Sequence, residues 1–320
     1  MIERFTVKML RGSAEQLKFK CIVEPKFGHV GYIENNTGER FFFKLSALDI
    51  NPLGASKIAT DKDYTQFLLE KFGYPVISTE TFFSDEWCRI NNTQNNLTAA
   101  LEYAEKVGYP RIVKPNSKGQ GRGVAKVYSD EELKLALINI FAIDNIALIQ
   151  PCVPGTDYRV VVYKDKVVAA YSRTPLIIFG DGIKSIRELL PAYDIPLPTI
   201  VSRIKREYNL TLDSIPKNGE RLQLLDNANL STGGQARDMT DTICDNAKEL
   251  AIKAVKDLGL NLAGVDILTT DDIEKSMVEY VIVEVNSMPG MEHYSALGPD
   301  QLERTRRLYI DIVQDYFSHD

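Results

Sequence analysis

Histidine, cysteine and tryptophan are scarce in this sequence: three, four and one in 320 residues. Cys21, Cys88, Cys152 and Cys244 stand too far apart for a C-x-x-C pair, which argues against a zinc cluster and a disulfide-stapled scaffold. No Ser-His-Asp or Cys-His arrangement is visible either. Long apolar runs are missing: none approaches the ~18 residues a membrane-spanning helix needs. Charge interrupts the apolar stretches, as at Tyr163-Lys164-Asp165-Lys166. The first twelve residues have no apolar core of a signal peptide. A basic excess is absent as well: 38 Lys and Arg against 44 Asp and Glu give a net charge of −6. A general nucleic-acid binder carries the opposite balance. The sequons at Asn35, Asn91, Asn96, Asn209 and Asn229 have no secretory context and read as chance. The expectation is a cytoplasmic protein with reduced thiols and with neither nucleic acid nor membrane as partner.

What is present is ordinary globular composition, 44% hydrophobic and 26% charged. At ~150 residues per domain the length suggests about two domains. The pattern sets residues 1–55 apart from the rest. The first segment reads as a small strand-rich unit, with Gly28 to Tyr32 and Phe41 to Phe43 as short strands around the turn Asn35 to Gly38. From Asp61 the period becomes helical, with Tyr64, Phe67, Leu68 and Phe72 in step and Gly73 as the stop. A second helix opens at Asn96, with Leu97, Ala100, Leu101 and Ala104 on one face, and closes at Gly108. Strands are expected at Arg111–Lys114, Val124–Tyr128 and Ala147–Gln150, with a helix opened by a Ser129/Glu132 capping box. Tyr158–Tyr163 and Lys166–Tyr171 form a hairpin about Lys164-Asp165. A helix follows from about Thr242 to Leu258, then strands Ala263–Thr269 and Tyr280–Val285. The order lacks regular βαβ alternation, so the class is α+β.

Four constellations can carry chemistry. The loop Ser117-Lys118-Gly119-Gln120-Gly121-Arg122-Gly123 lies between two strands, with Lys114 just ahead. Its glycines let backbone N–H groups approach phosphate oxygens, and Lys114 and Lys118 add charge. The other reading is a hairpin turn whose glycines only adopt positive φ. The loop is not G-x-x-x-x-G-K-[ST] and opens no helix, which makes the P-loop and dinucleotide readings weak. Second, Glu284 and Asn286 are two apart on one strand, so they share a face ~7 Å apart. Asp266 on a neighbouring strand would complete an oxygen cluster suited to Mg²⁺ on phosphate. The alternative is a solvated edge of carboxylates. A charge inside Val265-Asp266-Ile267 or Val283-Glu284-Val285, however, is costly unless paired or metal-bound. Third, Asn229-Leu230-Ser231-Thr232-Gly233-Gly234 offers hydroxyls and amides to an anion, or is a plain loop. Fourth, Arg159, Arg173 and Arg221 fall on strands and either bind phosphate or carboxylate bidentately or are surface arginines. Of the histidines, His293 follows the oxygen cluster, and His29 and His319 read as surface residues.

In combination these residues resemble the ATP-grasp superfamily. Lys114 with the glycine loop, Pro154-Gly155-Thr156-Asp157-Tyr158-Arg159, and Asp266 with Glu284-Val285-Asn286 occur in the family's order, followed by Met288-Pro289-Gly290. Asn229 to Gly234, and Gly180-Asp181-Gly182 with Ser185 to Leu189, are similar to motifs of the ATP-grasp part of cyanophycin synthetase and of bifunctional glutathione synthetase. Two departures stand out: the partner modules of those enzymes are not in this sequence, and Gln150-Pro151 replaces an acidic hinge residue.

The resemblance implies an ATP-grasp fold, two α+β subdomains gripping ATP between antiparallel sheets: residues 56–150 the small subdomain, residues 151–320 the metal-bearing one. It implies a ligase that joins a carboxylate to an amine through an acyl phosphate, releasing ADP and phosphate. Lys62 and Lys114 would hold phosphates, with Lys118, Gly119, Gly121 and Gly123 covering them. Gln150, Cys152 and Val153 would form the adenine hinge, Asp157 would meet ribose, and Arg159 would belong to the nucleotide site. Asp266, Glu284 and Asn286 would hold Mg²⁺, with Mn²⁺ as the substitute. Arg173, Arg221, Ser231, Thr232 and Gly233 would stabilise the oxyanion and acyl phosphate. The partners are a small-molecule carboxylate and an amine, with room for a homo-oligomer. Rival readings are a ligase of a sugar acid or other non-amino-acid carboxylate, a phosphotransferase or thioester-forming ligase, and an inactive nucleotide-binding module.

Overall fold

The computed structural model describes residues 3–119, 121–191 and 195–318. Gln120 and His319 lie outside the described residues. The chain packs as two units, each discontinuous in sequence. One comprises Met1–Val76, Tyr158–Ser172 and Arg237–Asp320; the other comprises Ile77–Asp157 and Arg173–Ala236. Among the described residues no helix is long and apolar enough to cross a membrane.

The first unit opens with a helix, Phe5–Leu17, where only strands were expected. Its buried Val7, Leu10 and Ala14 recur three and four residues apart, and Lys18 in the left-handed region ends it. The expected strands follow, as an antiparallel sheet ordered Lys20–Val23, Val30–Glu34, Arg40–Lys44, Ala47–Leu48. The Asn35 side chain accepts from Thr37 N and Glu39 N and so closes the middle hairpin. The unit's last helix, Pro299–Ser318, packs against the first one and was not read from the sequence. Phe41 meets Tyr316 at 4.9 Å between ring centroids, and Tyr316 Oη donates to Arg40 O at 3.1 Å.

The helix at Asp61 is present as Lys62–Lys71, with the Asp61 side chain accepting from Tyr64 N. The aromatics that marked it do not bury: Tyr64, Phe67 and Phe72 are exposed, and Thr65 and Leu69 face the core. Thr65 Oγ1 donates to Ile58 O at 2.7 Å, which anchors that polar residue inside. A five-stranded sheet runs in the order Gln235–Asp238, Lys166–Thr174, Thr156–Tyr163, Leu262–Thr269, Tyr280–Asn286. Helix Asp245–Asp257 lays Ala247, Ala251, Ala254 and Val255 on a core that includes Val160, Val162, Val265 and Ile267. Small alanines let the helix approach the sheet closely.

The second unit has an antiparallel sheet ordered Glu80–Phe83, Ile146–Pro151, Arg111–Pro115, Ala125–Val127. Helices Leu97–Val107 and Asp130–Phe141 cover one face of it, burying Phe82, Val113, Val127, Ala147 and Ile149. Asn96 caps the first helix by accepting from Thr98 N and Ala99 N. Ser129 Oγ accepts from Glu132 N, but the Glu132 carboxylate takes Tyr128 N, so the expected box is shifted by a residue. The reciprocal box forms instead at Ser185 and Glu188. A second cluster, around Ile178, Ile186, Ile200, Ile204 and Leu222, joins strands Ile177–Phe179 and Arg221–Gln223 to helix Leu197–Tyr208.

Candidate functional site

In the first unit the Leu262–Thr269 and Tyr280–Asn286 strands pair antiparallel with Asp266 directly opposite Glu284. Opposed residues share a face, and Asn286 lies two along on that same face. The Asp266 side chain is 4% exposed. A carboxylate so buried needs a cation. Arg159 supplies one, its Nε on Asp266 Oδ1 and its Nη2 on Oδ2 at 2.8 Å. Gly264 makes the berth: a Cβ there would lie 2.9 Å from Arg159 Cδ and 3.2 Å from Pro289 Cβ. Lys62 Nζ stands 3.7 Å from Glu284 Oε2, and Asn286 Nδ2 donates to Glu284 Oε1 at 3.0 Å. Among the described residues no group of three or more His, Cys, Asp and Glu could hold a metal. The set here is two carboxylates and a carboxamide, all hard oxygen donors, and so fits Mg²⁺ better than a softer ion. Arg159 and Lys62 balance its charge. His293 is exposed, and His29 is half-buried, its ring 6.1 Å from that of Phe27.

In the second unit the sheet register sorts the residues. Ile112 pairs with Gln150 on one side and Lys126 on the other, and Lys114 pairs with Leu148. Lys114, Lys126 and Gln150 therefore share the face that the two helices leave uncovered. Lys114 is 5% exposed and Gln150 3%. Gln150 Nε2 donates to Thr79 Oγ1 at 2.6 Å, which leaves the backbone beyond it as the part of the expected hinge able to meet a base. Burial pushes the Cys152 thiol up, so it stays neutral, and its Sγ lies 3.7 Å from Pro110 O. Val153 follows, half-buried. Asp157 Oδ1 accepts from Arg173 Nη2 at 2.7 Å and Nε at 3.2 Å, so two residues expected to have separate tasks form one ion pair.

The glycine loop leaves the sheet through Ser117, whose N–H and hydroxyl donate to Asp144 Oδ2 at 2.8 and 2.7 Å. Lys118 is half-buried, Gly119 and Gly123 are exposed. At Gly121 a Cβ would run into the Asn229 amide. The loop and the Asn229–Gly234 segment, picked out separately in the sequence, are thus in contact. That segment folds as a 3₁₀ turn, Leu230–Thr232, closed by Gly233 at φ 90°. Ser231 and Thr232 lie on it, half-buried. Arg221 is exposed opposite Phe179 on the small two-stranded sheet.

Sequence reasoning missed Lys126. It stands 3.9 Å from Asp226 Oδ1, the same oxygen that Arg203 binds, and Arg203 Nε donates to Gln223 O at 2.9 Å. The signal was the alternation Ala125-Lys126-Val127, too short to weigh in a three-residue strand.

The family model described as D-ala D-ala ligase C-terminus matches residues 68–178, and the RimK-like ATP-grasp domain matches residues 211–301. Cyanophycin synthetase of Nostoc sp. is 33% identical over 75% of this chain and 27% of its own length. The glutathione biosynthesis bifunctional protein GshAB of Enterococcus faecalis is 31% identical over 80% of this chain and 35% of its own length. The chain thus spans about a third or less of the curated relatives it matches. The crystal structure of a bifunctional glutathione synthetase from Pasteurella multocida superposes with a TM-score of 0.63 at 23% identity, covering 98% of this chain and 44% of that one. D-alanine–D-alanine ligase from Bacillus anthracis gives a TM-score of 0.51 at 17% identity over 83% of this chain and 72% of that one. At these identities the likeness speaks for the fold.

Proposed function

The chain belongs to the ATP-grasp superfamily, and from that premise we propose that it is an ATP-dependent ligase that activates a small-molecule carboxylate as an acyl phosphate and joins it to an amine. The observation that carries the reading is the oxygen set: Asp266 across from Glu284, Asn286 on the same face, and Arg159 and Lys62 as counter-charges. Mg²⁺ held by Asp266, Glu284 and Asn286 would neutralise phosphate charge.

The chain's own residues divide the remaining work. Lys114 and Lys126 present ammonium groups to phosphate from the sheet face opposite the two helices, and the glycine loop offers backbone N–H groups. Gln150 to Val153 meet the base through backbone, and Asp157 accepts from ribose hydroxyls while Arg173 holds it in place. A carboxylate oxygen attacks the γ-phosphorus, the bond to the β-bridging oxygen breaks, and ADP leaves. The amine then attacks the acyl carbon and loses a proton, and phosphate departs with the carboxylate oxygen. The N–H groups and hydroxyls of Ser231 to Gly233 stabilise the tetrahedral oxyanion. No side-chain nucleophile is needed.

The test is isotopic. With a mixture of amino acids labelled with ¹⁸O in their carboxylates, ATP and Mg²⁺, one label per turnover should enter phosphate, and hydroxylamine should trap a hydroxamate. Label in AMP would mean adenylation and would end this reading.

A further inference from the structure

We propose that Asn229 is a positioning residue that joins the glycine loop to the Ser231–Gly234 turn, so that both act on the reacting group as one piece. The proposal rests on the ligase reading above. Its basis is that one residue holds both segments by different atoms. On the side-chain side, a Cβ on Gly121 would collide with the Asn229 amide nitrogen and lie 3.0 Å from its Cγ, with Asn227 Nδ2 at 3.3 Å. The loop is therefore seated on two carboxamides with no room for a methyl, in a backbone conformation, φ +69°, that suits glycine. On the main-chain side, Asn229 O accepts from Thr232 N at 3.2 Å, Gly234 N at 3.1 Å and Thr232 Oγ1 at 3.1 Å. Those bonds wind the turn that carries Ser231 to Gly233.

A third observation sets this seat apart from ordinary packing. Asn227 Oδ1 is buried and accepts no hydrogen bond among the described residues. An orphaned acceptor is unfavourable, and such atoms gather where geometry serves something other than stability. Phosphates and ionised carboxylates are acceptors only and cannot satisfy it. An N–H can, whether from the loop or from the attacking amine.

The chemical consequence concerns what happens after ADP forms. An acyl phosphate is consumed by the amine or by water, and the outcome depends on whether the cover and the oxyanion donors stay in register. With Asn229 truncated, ATP cleavage and amide formation should come apart.

The experiment uses the full chain with ATP, Mg²⁺ and a mixture of amino acids as the probe, reading ADP enzymatically and amide by mass spectrometry. In Asn229→Ala the amide-to-ADP ratio should fall about tenfold, equivalent to ~1.4 kcal/mol. Gly121→Ala should lower turnover more in the parent than in the Asn229→Ala background, because the smaller neighbour admits the methyl. Positive-φ strain is common to both and cancels in the cycle. Thermal midpoints are measured alongside: a merely structural role would lower them and leave the ratio alone. An unchanged ratio, or additive effects in the cycle, overturns the assignment of Asn229. Absence of any carboxylate-dependent ADP release from the parent overturns the ligase reading, and this inference with it.

Discussion

Replacing Arg159 by Met tests the charge balance on which the oxygen set depends. The Asp266 and Arg159 side chains are only 4% and 11% exposed. Removing one partner of a buried pair leaves the other uncompensated, which costs about 3–5 kcal/mol. At ~2–4 °C per kcal/mol for a body of this size, the melting temperature should drop by roughly 6–20 °C. A cation able to take the place of the guanidinium should return part of that. Mg²⁺ at a hundred times its dissociation constant adds about 2.7 kcal/mol, or roughly 5–10 °C. The parent should gain less from Mg²⁺, because its Asp266 is already compensated. The assay is circular-dichroism melting at neutral pH with and without MgCl₂. A second variant, Arg159→Met with Asp266→Leu, removes both charges and should recover most of the loss, since apolar replacement of a buried pair is close to neutral. A single variant that melts within about 2 °C of the parent, or whose response to Mg²⁺ equals the parent's, refutes the reasoning.

Other outcomes follow from the same geometry. Glu284→Ala should abolish ADP release while the far-ultraviolet spectrum stays native; near-parental turnover at millimolar Mg²⁺ would remove Glu284 from the metal set. Lys114→Ala should raise the KM for ATP and lower kcat together if, as proposed, its side chain meets phosphate before and during transfer; unchanged ATP dependence would return the glycine loop to a plain turn. Asp238 carries a pH signature. Burial works to raise its pKa, but hydrogen bonds from Gln301, Thr240 and Tyr294 outweigh that and hold it below the usual value. Its contribution is therefore complete above the ordinary carboxylate pKa and fades as pH falls through the lower folded value. Urea midpoints should drop more steeply below pH 4 in the parent than in Asp238→Asn, and parallel curves would contradict the assignment.

How much was legible in the sequence follows the range of the interactions concerned. The caps at Asp61, Asn96 and Ser129 act over two or three residues, and the helices they open were read correctly. The Asp266, Glu284 and Asn286 strands announced themselves because charge inside an apolar run is anomalous wherever it occurs. The cations that balance them were not legible as such: Arg159 lies 107 residues from Asp266, and nothing local links the two. The same holds for Gly121 and Asn229, whose contact exists only once the second unit folds. Helix Phe5–Leu17 was missed because a strand-rich stretch beyond it dominated the reading. The exposed Tyr64 and Phe67 misled because aromatic periodicity marks a helix but not which side it buries.

The interleaving of the two units bears on the order in which the protein is made. The first unit needs segments far apart in the sequence: helix Phe5–Leu17 has Pro299–Ser318 as its packing partner, and Phe41 waits for Tyr316. On the ribosome those surfaces emerge before their partners and stay bare until Pro299–Ser318 has been translated. At ~5–20 residues per second that delay lasts from about 15 seconds to a minute. The second unit is complete by Ala236 and can form in the meantime. Nascent chains halted near residue 240 should therefore protect Ile77–Asp157 from protease while residues 3–76 remain cleavable. The apolar face of helix Phe5–Leu17 would be the natural place for a chaperone to hold on until Pro299–Ser318 arrives.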